Sequence, residues 1–128
     1  MTLTIVLNVG DLMANFVILE HDFPKLHWDL MVEMGDVLWT WRLPIPLEYG
    51  TAVSAERTFD HRLLYLDYEG AISGGRGIVR RIDRGSYEVV SQTSEQLIVR
   101  LRGAVWAGTL CLERVDGDRW QATLEPLA

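Results

Sequence analysis

Hydrophobic and polar residues alternate with a period of two in the first half of the chain. Across residues 28–34, apolar side chains occupy every even position, while histidine and aspartate stand at positions 27 and 29. Alternation of this kind indicates a β-strand with one buried face. The pair Gly35-Asp36 then predicts a tight turn into a second strand over residues 37–42, so this region is expected to be a β-hairpin.

Other short runs of strand-forming residues lie before and after this hairpin at close spacing. They cover residues 16–19, 62–66, 77–82, 87–91, 97–101, 105–112 and 119–124. Turn signals rich in glycine, serine and aspartate separate the later runs, at residues 73–75, 84–86 and 116–118. Residues 46–57 could hold one short helix at most.

The predicted fold class is therefore all-β. Many short strands at this spacing are typical of a sandwich or a barrel. In a chain of 128 residues, closure removes exposed strand edges, which favours the barrel. We expect a small closed or nearly closed β-barrel of about eight strands, with at most one or two short helices.

The length fits one domain. Residues 1–14 lack the periodicity of the rest, and Met13 would make a natural domain start. We therefore predict an N-terminal extension over residues 1–14, arising from a misassigned start or forming an extra strand. Residues 15–128 are predicted to form a single barrel domain.

Composition excludes several classes of protein. A hydrophobic fraction of 48% with 23% charged residues is ordinary for a globular domain. No apolar run approaches the ~20 residues of a membrane-spanning helix, so no membrane association is expected. The single cysteine, Cys111, cannot form a disulfide or a cysteine zinc site within this chain. A reducing, cytoplasmic location is the expectation.

The net charge of −6 disfavours non-specific binding to duplex nucleic acid, which depends on neutralising phosphates. Any role in nucleic-acid chemistry must rest on a local site. Four arginines do fall within nine positions, namely Arg76, Arg80, Arg81 and Arg84. Such a cluster is more often a solvated strand face than a binding patch.

Candidate chemistry concentrates around His21, His27 and Asp29. On the strand that starts near His27, residues two apart share a face, so His27 and Asp29 project together. Pro24 can turn the chain so that His21 folds back beside them. Two imidazoles and a carboxylate suit Mn²⁺, Fe²⁺ or Zn²⁺. The spacing alone fits ordinary surface residues as well.

His61 and Tyr65 form a second candidate pair. On an extended strand they would share one face. An imidazole beside a phenol can bind a phosphoryl oxygen or protonate a leaving group. The plainer interpretation is a partly buried polar pair at a strand end.

These residues resemble the 3′-phosphoesterase domain of bacterial DNA ligase D, which serves non-homologous end joining. The resemblance extends over residues 15–124. It rests on Phe-Val-Ile-Leu-Glu-His-Asp at 16–22, Leu-His-Trp-Asp-Leu at 26–30, Trp-Arg-Leu-Pro at 41–44, His-Arg-Leu-Leu-Tyr at 61–65 and Asp-Arg-Gly-Ser-Tyr-Glu at 83–88.

The resemblance implies a compact barrel that removes a terminal ribonucleoside and then the 3′-phosphate, with Mn²⁺ as the favoured metal and Zn or Fe as alternatives. Carried over by position, His21, His27 and Asp29 match the metal ligands. His61 and Tyr65 match the phosphate-contacting catalytic pair. The implied partner is the 3′ end of DNA or of an RNA–DNA strand, together with separately encoded end-joining proteins.

The chain departs from the family pattern in five places: Ile45 replaces a lysine, the glycine-rich loop at residues 73–77 is shortened, and three further positions differ. Met31 stands where ligase-linked members carry a phosphate-contacting arginine, Leu19 replaces a glutamine, and Phe59 replaces a glutamate. Arg62 or Arg76 would be candidates to supply the missing charge. Two alternatives to an active phosphoesterase therefore stay open: a weakened module that binds metal and nucleic-acid ends, and a metal-binding enzyme of another substrate class.

Overall fold

A computed structural model describes residues 14–127 of the protein. Nine strands lie within them. Their bounds are β1 (Ala14–His21), β2 (His27–Met34), β3 (Val37–Leu43), β4 (Val53–Arg62), β5 (Gly70–Ala71), β6 (Ile78–Gln92), β7 (Gln96–Gly103), β8 (Ala107–Asp116) and β9 (Arg119–Pro126). A single 3₁₀ turn at Leu63–Leu66 is the helical element of this described part.

Eight of these strands close into an antiparallel barrel, which confirms the predicted fold class. The hydrogen-bonded order is β1-β2-β3-β4-β9-β8-β7-β6, and β6 pairs back onto β1. The two-residue β5 adds to β6 outside the ring. Closure gives β1 a hydrogen-bonded neighbour on both sides, so neither of its edges is left open.

The first three strands carry apolar residues on both faces. Their inward side chains, such as Ile18, Leu30 and Trp41, join the main core inside the barrel. A second apolar cluster lies on the outer face of the same strands. These strands contribute Val17, Leu19, Met31 and Leu38, and β6 contributes Val79. The segment after β4 packs over them with Leu66 and with the partly buried Leu63, Tyr65, Tyr68 and Ile72. We call this side of β1–β3, with the end of β4, the outer wall.

A β-bulge in β4 changes which residues face the outer wall. Leu38 pairs with His61 and Thr40 pairs with Thr58, so two residues of β4, Phe59 and Asp60, stand opposite one residue of β3. Because side chains alternate with a period of two, the extra residue reverses the phase of the strand. His61 thereby lies on the same side as Leu38, on the outer wall.

Two local expectations were wrong. Residues 62–66 were expected as a strand, but β4 ends at Arg62 and a 3₁₀ turn follows. Residues 84–86 were expected as a turn, but β6 runs straight through them. Gly85 lies against β7, where an added Cβ would come 2.2 Å from the Arg102 carbonyl oxygen, so close strand packing explains this glycine. Residues 46–57, where one short helix at most was expected, contain none, and residues 53–57 belong to β4.

The hairpin turns at Gly35-Asp36 and around Gly117 are present as predicted. The predicted extension at residues 1–14 lies outside the described residues, apart from Ala14, which begins β1. Within residues 14–127, no helix is long and apolar enough to cross a membrane.

Tyr87 links β6 to β2 at one end of the core. Its ring is buried, and its hydroxyl donates a hydrogen bond to the backbone carbonyl of Glu33. Burial, with a smaller contribution from the Glu33 charge, raises the pKa of Tyr87 to about 12. The folded protein therefore holds this proton more tightly than the unfolded chain does.

Tyr87 should make the fold sensitive to alkali. The stabilising contribution is complete below pH 10 and is lost as the pH rises towards 12, because only the unfolded chain ionises in that interval. The loss is on the order of 3 kcal/mol for a pKa raised by about two. In Tyr87→Phe, the free energy of unfolding should fall less between pH 10 and 12, as measured by urea titration. An equal fall in both proteins would contradict this assignment.

Candidate metal centre and phosphate pocket

His21, His27 and Asp29 meet on the outer wall, where β1 ends and β2 begins. His21 pairs with His27 in the β1–β2 register, and Asp29 lies two residues further along β2. One ligand atom from each residue lies within 4.8 Å of the others. His27 Nε2 is 3.2 Å from Asp29 Oδ2, and His21 Nδ1 is 3.9 Å from the same oxygen. The structure therefore brings together all three residues predicted from the sequence.

Backbone carbonyls fix which nitrogen of each histidine is free. His21 Nε2 lies 2.8 Å from the Arg76 carbonyl, and His27 Nδ1 lies 2.8 Å from the Lys25 carbonyl. A carbonyl only accepts hydrogen bonds, so these two nitrogens carry the protons. In the neutral rings, His21 Nδ1 and His27 Nε2 then present lone pairs towards Asp29. Backbone bonds of this kind orient histidines that ligate metals.

The contact between His21 and Arg76 depends on close packing of two loops. Gly77 has a φ of +79°, and an added Cβ would come 2.3 Å from Asp22 Oδ1 and 2.7 Å from Phe23 Cβ. Asp22 Oδ1 also accepts a hydrogen bond from the backbone N–H of Ile78. A glycine at position 77 thus lets the loop approach the β1–β2 turn closely enough to place the Arg76 carbonyl on His21.

The electrostatics of the cluster call for a cation. Asp29 is buried, and within the described residues its Oδ1 has no hydrogen-bond partner. Burial lowers the pKa of His27, but a protonated ring would donate its Nε2–H to Asp29, and this hydrogen bond and the Asp29 charge raise the pKa overall. A carboxylate facing two imidazole lone pairs is a donor set that manganese, iron and zinc accept. The cluster can hold a metal ion.

His61 and Tyr65 also come together, though not as two positions on one strand. His61 lies near the end of β4, and Tyr65 lies in the 3₁₀ turn that follows. Their ring centroids are 5.8 Å apart. His61 Nδ1 donates to the Phe59 carbonyl at 3.0 Å, which leaves Nε2 free. Burial lowers the pKa of His61 against an opposing effect of Asp29, so the ring is neutral at neutral pH.

One cavity of about 400 Å³ joins the two groups, a volume within the usual range for small-ligand sites. His21, Asp29, His61 and Tyr65 all line it. The remaining lining residues are Phe23, Pro24, Met31, Arg42, Phe59, Asp60, Arg62, Ile72, Arg76 and Val79.

The arginines predicted to lie near the site differ in their partners. Arg62 and Arg76 both line the cavity, but the Arg76 guanidinium donates to the carbonyl and hydroxyl of Ser73 in its own loop. Arg80 pairs with Glu20 at 3.1 Å, and Arg84 pairs with Asp67 at 3.1 Å. Two of the four arginines in the cluster are therefore paired with acids, in agreement with the solvated-face interpretation.

Arg42 is the cation that the sequence reasoning missed. It stands directly opposite Asp29 in the β2–β3 register, with its Nε 4.0 Å from Asp29 Oδ1. In the described part of the chain this buried Nε has no hydrogen-bond partner. The signal was available: a two-residue turn at 35–36 fixes the hairpin register, and that register pairs position 29 with position 42.

Two comparisons identify relatives of the chain. The family described as the DNA ligase D 3′-phosphoesterase domain matches residues 19–114. A Mycobacterium tuberculosis protein named multifunctional non-homologous end joining DNA repair protein LigD is 37% identical over 116 residues, which cover 84% of this chain and 15% of that protein. The LigD of Mycolicibacterium smegmatis is 32% identical over 123 residues, with coverages of 84% and 16%. The chain thus spans about a sixth of these relatives' length.

A divalent cation should stabilise the fold through the three-residue cluster. Mn²⁺ at a hundred times its Kd should stabilise the metal-stripped protein by about 2.7 kcal/mol, since the ion binds the folded state. The increase in Tm should disappear in His27→Ala and Asp29→Asn, which each lose a ligand. Leu26→Ala, an exposed neighbour, is the control and should keep the increase. A full increase in both ligand variants would show that Mn²⁺ binds elsewhere.

Proposed function

Since the chain belongs to the DNA ligase D 3′-phosphoesterase domain family, we propose that it is a divalent-metal-dependent phosphoesterase acting on 3′ ends of nucleic acid. Its reactions would be removal of a 3′-phosphate and of a terminal 3′-ribonucleoside. The observation that carries the proposal is one cavity that exposes His21 and Asp29 of the metal cluster together with His61, Tyr65 and Arg42.

The metal would be held by His21 Nδ1, His27 Nε2 and an oxygen of Asp29. The unpartnered, buried Oδ1 of Asp29 and the lone pairs set by the backbone carbonyls both fit such a group. We favour Mn²⁺, with zinc or iron as alternatives. When bound, a divalent cation polarises a phosphoryl oxygen and lowers the pKa of a coordinated water.

The protein side chains would then handle the phosphate. In hydrolysis of a 3′-phosphate, a water oxygen bonds to phosphorus, the bond from phosphorus to the 3′-oxygen breaks, and that oxygen takes up a proton. Tyr65 would donate a hydrogen bond to a phosphate oxygen. Neutral His61 would accept a proton from the attacking water at Nε2, and that proton is then available to the leaving 3′-oxygen. Arg42 offers a planar guanidinium beside the cluster, a geometry that matches phosphate oxygens.

A weakened module that binds metal and nucleic-acid ends is the second candidate, and one observation favours it. Met31 is 1% exposed and packs with Leu19 in the apolar cluster of the outer wall. The position expected to carry a phosphate-contacting arginine therefore contributes an apolar side chain to the cavity lining. In the proposed enzyme, Arg42 replaces that charge from the neighbouring strand; in the binding module, nothing replaces it.

Membership of this family also suggests the process in which the protein acts. The relatives are named as non-homologous end joining proteins, and the chain covers only 15% of their length. We propose that it processes the 3′ ends of DNA or of RNA–DNA strands for end joining in the cytoplasm. Other end-joining activities would act with it on the same ends.

Mn²⁺ should switch on trimming of a DNA strand that ends in a 3′-phosphate. Metal-stripped protein should leave the strand intact, and His27→Ala should stay inactive even with Mn²⁺, because a ligand is missing. Gel analysis of labelled strands with a 3′-phosphate or one 3′-ribonucleotide measures both reactions. Binding of Mn²⁺ by the wild type without any trimming would reject the enzyme and favour the binding module.

Arg42→Ala should lower kcat/KM for 3′-phosphate removal by about 100-fold at saturating Mn²⁺, because it removes a charge that stabilises the transition state. Arg42→Lys should recover only part of the loss, since an ammonium lacks the two-pronged geometry. Saturating metal separates this effect from any change in metal affinity. Arg100→Ala, an exposed arginine on β7, is the matched control. Equal effects at positions 42 and 100 would contradict the role of Arg42.

A further inference from the structure

Phe59 has the highest exposure among the large hydrophobic side chains of the described residues. It is 70% exposed, yet it lines the same cavity as Asp29 and His61. An isolated exposed phenylalanine has no need of explanation, but one at the rim of a charged cavity is unfavourable unless something covers it.

The bulge in β4 aims this ring at the site, and Arg57 stabilises the bulge. The Arg57 guanidinium donates to the carbonyls of Thr58 and Thr40 at 2.6 and 3.3 Å, and to Asp60 Oδ1 at 3.1 Å. Its charge also lies over the Trp41 ring, 4.9 Å from the centroid. Backbone bonds on both strands at a bulge give the projecting residue a fixed direction.

The orientation of the Phe59 ring is also fixed by stacking on His61. Its ring stacks on His61 with centroids 4.5 Å apart and an interplanar angle of 10°. Since His61 covers one face, the 70% exposure leaves the rest of the ring open to solvent. The result is a rigid planar surface that begins at the candidate catalytic histidine and extends outwards.

The chemistry around this surface specifies what would cover it. A flat aromatic face is combined, in one cavity, with the cationic side chains of Arg42 and Arg62 and with the candidate metal ligands. The cations suit a phosphate and the open ring suits a planar base. Nucleotides carry both groups on one unit, and proteins that bind single strands combine cations with aromatic stacking surfaces in this way.

We propose that Phe59 is a stacking platform for the nucleobase next to the reactive phosphate, so that the site prefers base-bearing strand ends over simple phosphate esters. The inference rests on the proposed function and adds a recognition element to it. Stacking on a ring accepts every base, so the platform would select for the presence of a base and not for a sequence.

The experiment measures binding of a short single-stranded DNA that carries a 5′ fluorescein and a 3′-phosphate. A matched strand has an abasic site at its 3′-terminal nucleotide. Fluorescence anisotropy is recorded in EDTA, so that both strands stay intact during the measurement. The proteins are the wild type, Phe59→Ala, Phe59→Leu and Phe59→Trp, with Val115→Ala as a control that removes exposed apolar surface away from the cavity.

Phe59→Ala should weaken binding of the intact strand by about tenfold, and binding of the abasic strand should not change. Phe59→Leu keeps an apolar contact with His61 but lacks an aromatic face, so it should behave like Phe59→Ala. Phe59→Trp should bind within about twofold of the wild type. Equal losses on both strands, or no loss on the intact strand, would overturn the proposal.

Hydrolysis in Mn²⁺ is measured in a second experiment, so that the stacking platform and the phosphoesterase are tested independently of each other. Trimming by the wild type without any effect of Phe59 on binding overturns the platform and leaves the phosphoesterase standing. Binding that depends on Phe59 without trimming supports the platform and overturns the phosphoesterase.

Discussion

The hydrogen-bonded ladder between β1 and β6 is the interaction on which the rest of the structure depends. It closes the sheet into a barrel, and it also gives the last residue of β1, His21, a fixed place between two strands. His21 stands opposite His27 on β2 and opposite Val79 on β6. The loop that leads into β6 supplies the carbonyl that orients the His21 ring. Barrel closure and the candidate metal centre are therefore parts of one arrangement.

Charge in this protein is organised locally. The chain is acidic overall, with a net charge of −6, yet the cavity combines the buried carboxylate of Asp29 with Arg42, whose Nε has no hydrogen-bond partner among the described residues. Arginines such as Arg80 and Arg84 are paired with acids on the surface. Affinity for a phosphate end would then come from a few desolvated groups and not from a long-range field, since exposed charges are screened over about 10 Å at ordinary salt.

The sequence predicted the parts of the molecule whose geometry is local. A two-residue turn at Gly35-Asp36 sets the β2–β3 hairpin, and a short turn brings His21 back to His27. The same hairpin register contained the position of Arg42, although that consequence was not drawn.

Long-range contacts decided the features that the sequence did not predict. Leucines at 63, 64 and 66 resemble a strand, but Leu63 and Leu66 cover an apolar outer face that periodicity cannot reveal. Gly85 resembles a turn residue because close packing against β7 also requires glycine. The bulge at Phe59 and Asp60 depends on the pairing of β3 with β4, and nothing local signals the added residue.

The two faces of β1–β3 have a consequence for how this protein can change. Side chains that point into the barrel, such as Ile18 and Leu30, belong to the larger hydrophobic cluster, whereas the outer wall carries the candidate chemistry. Neighbouring residues of one strand are therefore under different selective pressures, because their side chains point to opposite faces. Substitutions at one set of positions can alter folding stability while the other set alters reactivity, so a lineage could lose or regain its activity without rebuilding the barrel.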